Sequence, residues 1–529
     1  MRIISDPLVR AESMHAEKLA FVCDDRKRTF KEFVDRCRRV GSVLDQLGLD
    51  PGDRVGLLAA NSDIYAELYC GIPSAGRAIV PLNGRWAEPE LAYALDDAGA
   101  KLLITDQEPR GLDQSVDQVI TLDEYEQLLS NSSPTEFADT SEDHLAGLFY
   151  TGGTTGKSKG VMLSHRNLIA NTLHSQITMP LSGDDTYLVV APMFHAAGSN
   201  SVLQCLALGV CQVVMPAFEP NLCLDLIEEY RCSATLAVPT MVAALVESQV
   251  ANPRDTSSVT LICHGASPIA TQVLKRAHEQ FPQAEVLHLY GATETAPLVT
   301  GLRHEEELIG TNRGKSVGHP SLGVSLRIDA ARGEAGEVLV QGPNVMQGYW
   351  NKPEQTAAAL EDGWYRTGDI GYLDDEGYLY LVDRAKDMII SGGENVYCSE
   401  VEEVIYQNPK VLEATVFGVP NEQWGEQVHA VVVPRDESLT AEELIEFCRD
   451  SLGGYKLPRS VEFRSEELPK SGPGKVLKRE LRAPYWEGKD RSINCSYFHI
   501  SISTHRIIKS AAGTIVVCRH SVFVRQSVL

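Results

Sequence analysis

Helix-type and strand-type patterns alternate along this chain from Thr29 to about residue 300. That alternation limits the fold more than any other feature. Thr29 and Glu32 give the hydroxyl-x-x-Glu pattern of a capping box ahead of an apolar-periodic run, which predicts a helix to about Gly48. Pro51-Gly52-Asp53 reads as a turn and Arg54–Leu58 as a strand. Units of this kind cover a sheet with helices, so they predict an α/β architecture with largely parallel strands. With 529 residues, the chain can build one large domain of layered sheets and helices plus a smaller one. No fixed-period repeat or low-complexity linker interrupts it.

The pattern changes near Asp383. Gly371 to Val382 reads as a hairpin of short strands. Beyond it, Ser399–Gln407 is predicted to be a helix, with Ser399 and Glu402 as a second capping box and Val401, Val404 and Ile405 on one face. Asn408-Pro409 should end it. The expected division is a large domain over 1–382, a small mobile α+β domain over 383–492 and a basic tail over 493–529.

Charge sets the tail apart. The chain carries a formal net charge of −24. From Asn494 onward there are four basic residues (Arg506, Lys509, Arg519, Arg525) and no Asp or Glu, so the body carries −28. A body this acidic argues against a nucleic-acid binder, but not against anionic ligands held at a local site. The alternating stretch Thr514–Val524 reads as an exposed or extra strand. The tail is expected to be dispensable, with a partner or peripheral membrane contact as the alternative. Ser527-Val528-Leu529 only poorly approximates a peroxisomal address.

Twelve cysteines are scattered, with no C-x-x-C pair, so buried reduced thiols are expected rather than a zinc site. Met1–Pro7 has no apolar signal-peptide core. Val202–Phe218 is broken by Gln204, Gly209, Gln212 and Pro216 and reads as core, not as a membrane span. A cytoplasmic location is expected.

The richest chemistry lies in Thr151-Gly152-Gly153-Thr154-Thr155-Gly156-Lys157-Ser158-Lys159-Gly160, directly after the apolar run Leu145–Tyr150. Glycines let backbone amides close around an anion, hydroxyls add donors and lysines add charge. The stretch misses the P-loop pattern by one residue, because position 151 is Thr rather than Gly. Leu289-Tyr290-Gly291-Ala292-Thr293-Glu294 places a carboxylate where a hard cation could neutralise it.

Taken in order, these motifs resemble the adenylate-forming superfamily of acyl-CoA synthetases, aryl-CoA ligases, beetle luciferases and peptide-synthetase adenylation domains. The resemblance runs over roughly residues 10 to 490 and includes Tyr365-Arg366-Thr367-Gly368-Asp369, Asp383-Arg384-Ala385-Lys386-Asp387 and Leu468–Val476. Gly152-Gly153 replaces the family's Ser-Gly and Ser158 its Pro, removing a hydroxyl and some stiffness.

The resemblance implies ATP, Mg²⁺ and coenzyme A as partners of a carboxylic acid substrate. It assigns the phosphates to Thr151, Gly152, Gly153, Thr154, Thr155, Gly156 and Lys159. It assigns Mg²⁺ to Glu294, the α-phosphate to Thr293 and adenine to Tyr290, Gly291, Gly265 and Ala266. Asp369 and Arg384 take the ribose, Lys386 the interdomain hinge and Lys475 the catalytic cation. Gly393 leaves room for the pantetheine arm, and His195, in Pro192–Gly198, borders the carboxylate and the thiol.

Ala196, Ala197, Gly198 and Ser199 offer no acid to pair with a substrate amine, so an apolar tail is expected. Thr235, Val238, Pro239 and Met241 are candidates for another wall. A medium- or long-chain fatty acid is the expected substrate. The alternatives are an aryl, cinnamate-type acid, transfer to a carrier protein, or luciferase-like oxidation. Gly392, where luciferases carry Lys, speaks against the last.

Overall fold

The computed structural model describes residues 1–109, 111–151, 158–267, 269–384, 387–391, 394–421, 424–436, 438–449, 451–470 and 476–487. Met1–Tyr485 form one compact unit. Among the described residues, the strands assemble into four sheets.

Two large sheets carry the body. In the nine-stranded sheet, the inner strands Glu285–Gly291, Leu261–Gly265, Ala234–Ala237, Thr186–Val189, Cys211–Val214 and Leu19–Cys23 run parallel, with antiparallel strands at both edges. The seven-stranded sheet is parallel across Leu145–Thr151, Ala78–Pro81, Arg54–Leu58, Ala100–Thr105 and Gln118–Thr121. Helices Ser5–His15, Phe30–Gln46, Asp63–Ser74 and Ala196–Leu208 feed one apolar cluster that joins both sheets. Asp63–Ser74 is buried on every residue, as a helix between two sheets must be. Phe21 and Phe33 meet there with ring centroids 4.5 Å apart. Each buried ring contributes roughly 2–3 kcal/mol of apolar transfer energy. Further helices cover the outer faces, among them Thr271–Gln280 over the larger sheet and Glu88–Ala98 over the smaller.

The predicted start signals hold in the body. Thr29 accepts from the Glu32 N–H and Glu32 reaches back to Thr29, closing the capping box of a helix that ends at Gln46. Arg54–Leu58 is the predicted strand. The hairpin is present too, with Trp364–Leu373 antiparallel to Leu379–Arg384. Val202–Leu208 and Cys211–Val214 lie inside the core, as expected.

From Ile389 onward the chain forms its own five-stranded sheet and apolar core, built on the long hairpin Val411–Asn421 and Gly425–Pro434. One expectation fails here. The helix is Cys398–Tyr406, and Tyr397 at its N-cap makes no side-chain capping bond. The Ser399 hydroxyl donates to the Val382 carbonyl, and Glu402 accepts from the Val416 N–H at 2.7 Å. Tertiary partners outcompete the local box. Val401, Val404 and Ile405 do share the buried face.

Candidate active site

The phosphate-loop motif joins two antiparallel strands, Leu145–Thr151 and Lys159–Ser164, with Thr151 paired to Lys159 and Tyr150 to Gly160. It is therefore a hairpin loop and not the strand-to-helix turn of a P-loop. Residues 152–157 lie outside the described residues. The base of the hairpin is pinned: the Tyr150 hydroxyl donates to Asp97 Oδ2 at 2.8 Å, and Lys352 pairs with Asp97 at 2.6 Å. A side chain at Gly160 would press on the Tyr150 ring at 3.0 Å, so the glycine permits the approach.

Beside Lys159–Ser164 runs the short strand Gly348–Tyr349, with Tyr349 in register with Val161. The Lys159 ammonium lies 4.6 Å from the Tyr349 ring centroid. On the same residue the hydroxyl donates to Glu294 Oε1 at 2.9 Å. Burial first, and then the Glu294 charge, pushes the Tyr349 hydroxyl well above its ordinary pKa, so it stays a donor. Tyr349 thus links the cation at the foot of the loop to the predicted metal carboxylate. Glu294 is half-buried in the Thr293–Thr295 turn.

Two buried asparagines hold that turn. Asn344 Nδ2 donates to the Thr295 carbonyl at 2.7 Å and the Leu298 carbonyl at 3.0 Å. The Leu298 N–H donates to Asn171 Oδ1 at 2.8 Å. The Met346 N–H donates to the Glu294 carbonyl at 2.8 Å. Tyr349, Asn344 and Asn171 escaped the sequence reading, because each acts on a segment far away in the chain.

The residues expected to meet the nucleotide converge from three segments. Gly265 and Leu289 are parallel-strand partners, and a Cβ at Gly265 would sit 2.4 Å from the Leu289 carbonyl oxygen. Ala266 follows at φ +69°. The Tyr290 hydroxyl donates to Asp369 Oδ2 at 2.8 Å. Asp369 is buried, its N–H donating to Thr367 Oγ1 at 3.0 Å while that hydroxyl donates to the Val338 carbonyl. Arg384 is the cross-strand partner of Asp369 in backbone register, and its side chain lies outside the described residues.

His195 occupies the N-cap position of helix Ala196–Leu208, its ring 4.5 Å from the Phe194 ring. Its Nε2 is buried without a hydrogen-bond partner. Burial, and secondarily the Arg85 charge, lowers its pKa to about 4, so the ring is neutral at pH 7. Among the described residues no hydrogen bond joins His195 to Glu294. The Thr235 hydroxyl is taken by the Leu188 carbonyl at 2.9 Å. Lys386, Gly393 and Lys475 fall outside the described residues.

Comparison with known proteins decides the class. The family model for AMP-binding enzymes matches residues 8–350, and that for the AMP-binding enzyme C-terminal domain matches 400–475.

The chain belongs to the AMP-binding enzyme family.

It is an acid–thiol ligase of the adenylate-forming superfamily, a class that works with ATP, Mg²⁺ and coenzyme A. Feruloyl-CoA synthase of an Amycolatopsis species is 40% identical over 475 residues, covering 86% of this chain and 93% of that protein. A long-chain-fatty-acid–CoA ligase of Bacillus subtilis is 33% identical over 517 residues, covering 88% and 91%. Among solved structures, o-succinylbenzoate CoA synthetase from Bacillus subtilis, in complex with ATP and magnesium ion, is 30% identical. Its TM-score is 0.81, with 90% of this chain and 99% of that one covered. For a family member the Glu294 site suits a hard cation: Tyr349 engages Oε1, and the carboxylate offers its second oxygen.

Proposed function

We propose that this enzyme couples an apolar-bodied carboxylic acid to coenzyme A through an acyl-adenylate, releasing pyrophosphate and then AMP. The observation that carries the reading is the Lys159–Tyr349–Glu294 arrangement, which sets a cation and a carboxylate together at the foot of the glycine-rich hairpin. In this reading the loop from Thr151 to Lys159 grips phosphates and Thr293 touches the α-phosphate. Tyr290, with Gly265 and Ala266 alongside, faces adenine, and Asp369 with Arg384 accepts the ribose hydroxyls. Glu294 holds Mg²⁺, which when bound neutralises phosphate charge. Lys475 stabilises the charge that builds as the substrate carboxylate attacks phosphorus.

Division of the body from a mobile domain at Asp383 belongs to the same proposal. Rotation near Lys386 exchanges Lys475 for the segment carrying Gly393, and neutral His195 borders the thiol path. Exclusion of water protects the reactive adenylate. None of the ten described cysteines forms a disulfide and nine are buried, which supports a reducing, cytoplasmic setting. No helix among the described residues is long and apolar enough to cross a membrane.

For the acid, the small uncharged run Ala196–Ser199 supports a medium- or long-chain fatty acid. An aryl propenoic acid is the second reading, favoured by the 40% identity to a feruloyl-CoA synthase. Pyrophosphate release and thioester formation across a panel of fatty and cinnamate-type acids, with and without coenzyme A, test both. Pyrophosphate without thioester from every acid would remove the CoA step and leave adenylation standing.

A further inference from the structure

Three imidazoles meet inside the nine-stranded sheet. His264 and His288 are register partners on adjacent parallel strands, and their rings stack at 4.7 Å with an interplanar angle of 16°. His304 follows strand Leu298–Arg303, its N–H donating to the Val286 carbonyl at 2.7 Å. Its ring lies edge-on to both others, at 5.4 and 5.7 Å between centroids. One ring nitrogen from each histidine lies within 4.8 Å of the other two.

The polar accounting is unusual. His264 is 0% exposed and His304 3% exposed, yet both ring nitrogens of each lack a hydrogen-bond partner. A buried polar atom without a partner costs about 1–3 kcal/mol. A strand position needing only bulk would take Leu or Phe at no such cost. Burial above all, and then the neighbouring imidazoles, keeps these rings neutral: His288 is lowered to about 3, His304 to about 4, and His264 falls well below the ordinary range. A neutral imidazole presents a lone pair, the form that ligates metal.

We propose that His264, His288 and His304 form a second metal site, separate from Glu294, for a borderline divalent transition ion such as Zn²⁺ or Co²⁺. Imidazole nitrogens select such ions over Mg²⁺, which takes oxygen ligands. Three nitrogens with one position left open is a common catalytic-type zinc set. With metal–nitrogen bonds of about 2.0–2.1 Å, ligand atoms on a tetrahedral ion stand about 3.4 Å apart. From a spread of no more than 4.8 Å, the nitrogens therefore close by at most about 1.4 Å, and the stacked His264–His288 pair must turn. His278 Nε2 is engaged with the His304 carbonyl at 2.8 Å, which leaves that nitrogen out of the set.

The placement gives the ion a structural consequence. His264 immediately precedes Gly265 and Ala266, and His288 lies two residues before Tyr290. A bound ion would tie together the strand ends that carry the nucleotide residues. This inference does not rest on the identity of the acid or of the acceptor.

The experiment uses the full-length untagged chain, stripped with a chelator and titrated with Co²⁺ in excess Mg²⁺. The expected result is one equivalent bound with visible ligand-field absorption, and one zinc per chain after zinc loading. His264→Gln and His304→Gln should each weaken binding by at least about tenfold. X-ray absorption on the zinc-loaded parent chain should show a histidine-nitrogen shell, a readout independent of whether the variants fold. No stoichiometric binding, unchanged affinity in folded variants, or a shell without histidine nitrogens would each overturn the site.

Discussion

The Tyr349 hydroxyl donates to Glu294 Oε1 at 2.9 Å, across 55 residues of sequence. A hydrogen bond to a charged acceptor is worth roughly 1.5–3 kcal/mol. Tyr349→Phe should therefore leave the fold intact and raise the Mg²⁺ concentration for half-maximal pyrophosphate release about tenfold. Glu294→Gln should lower that rate by about 100-fold or more. A Tyr349→Phe enzyme with the parent's Mg²⁺ dependence would separate the hydroxyl from metal placement.

Gly291 tests whether backbone packing holds the end of the strand that carries Tyr290. A Cβ there would sit 1.7 Å from the Pro297 carbonyl oxygen, a backbone atom that cannot rotate away. Gly291→Ala should cost at least ~2 kcal/mol and raise the KM for ATP. Gly333, at φ +84° with nothing near its Cβ position, is the control. Gly333→Ala should cost only about 1 kcal/mol, from conformation alone. Equal melting temperatures for the two variants would refute the distinction.

His165 makes stability depend on pH. It is buried, and its Nδ1 accepts the Ile4 N–H at 3.2 Å. Burial above all lowers its pKa from 6.5 to about 4. The unfolded chain then binds the extra proton between these values, so stability falls as pH drops from 6.5 toward 4. The full loss below pH 4 is roughly 3 kcal/mol. Denaturant unfolding at pH 7 and 5 should show a smaller decline for His165→Asn than for the parent. Parallel declines would exclude this histidine as the source.

Two lysines near the end of the body should behave oppositely. Lys470 is held by Glu413, with Glu467 at 3.3 Å, and so belongs to the architecture. Lys475→Ala should lower adenylation by about 100- to 1,000-fold with unfolding unchanged. Lys470→Ala should affect stability more than adenylation. Parent-like pyrophosphate release from Lys475→Ala would remove it from the mechanism.

Truncation after Arg491 removes the basic, acid-free segment. Activity and solubility are expected to stay within about twofold of the parent, or to improve, given the alternating apolar and polar sequence of Thr514–Val524. A large loss of either would make the segment functional.

Much of the body was legible because its signals are local. The Thr29 box, the Arg54–Leu58 strand and the Gly371–Val382 hairpin each depend on residues a few positions apart. The motif residues Tyr290, Glu294 and Asp369 were legible as chemistry, yet their arrangement was not. Tyr290 meets Asp369 across 79 residues, and Glu294 meets Tyr349 across 55. Ser399 shows the converse error. Its local pattern matched a cap, but the Val382 carbonyl offered a better tertiary partner. The histidine cluster gave no signal in the sequence, since only strand register brings His264 beside His288.

The pairing of Thr151 with Lys159 bears on how this loop can evolve. Because both feet are locked in a ladder, substitutions between them change what the loop presents without moving where it stands. Exchanges such as Gly152 for Ser, or Ser158 for Pro, lie between the paired feet and leave the Thr151–Lys159 pairing out of the change. A change in length is different. Slipping the register by one residue would turn Lys159 to the other face of the sheet and away from Tyr349. The ladder at its feet therefore constrains the length of the segment, while its composition answers separately to the phosphate grip proposed for it.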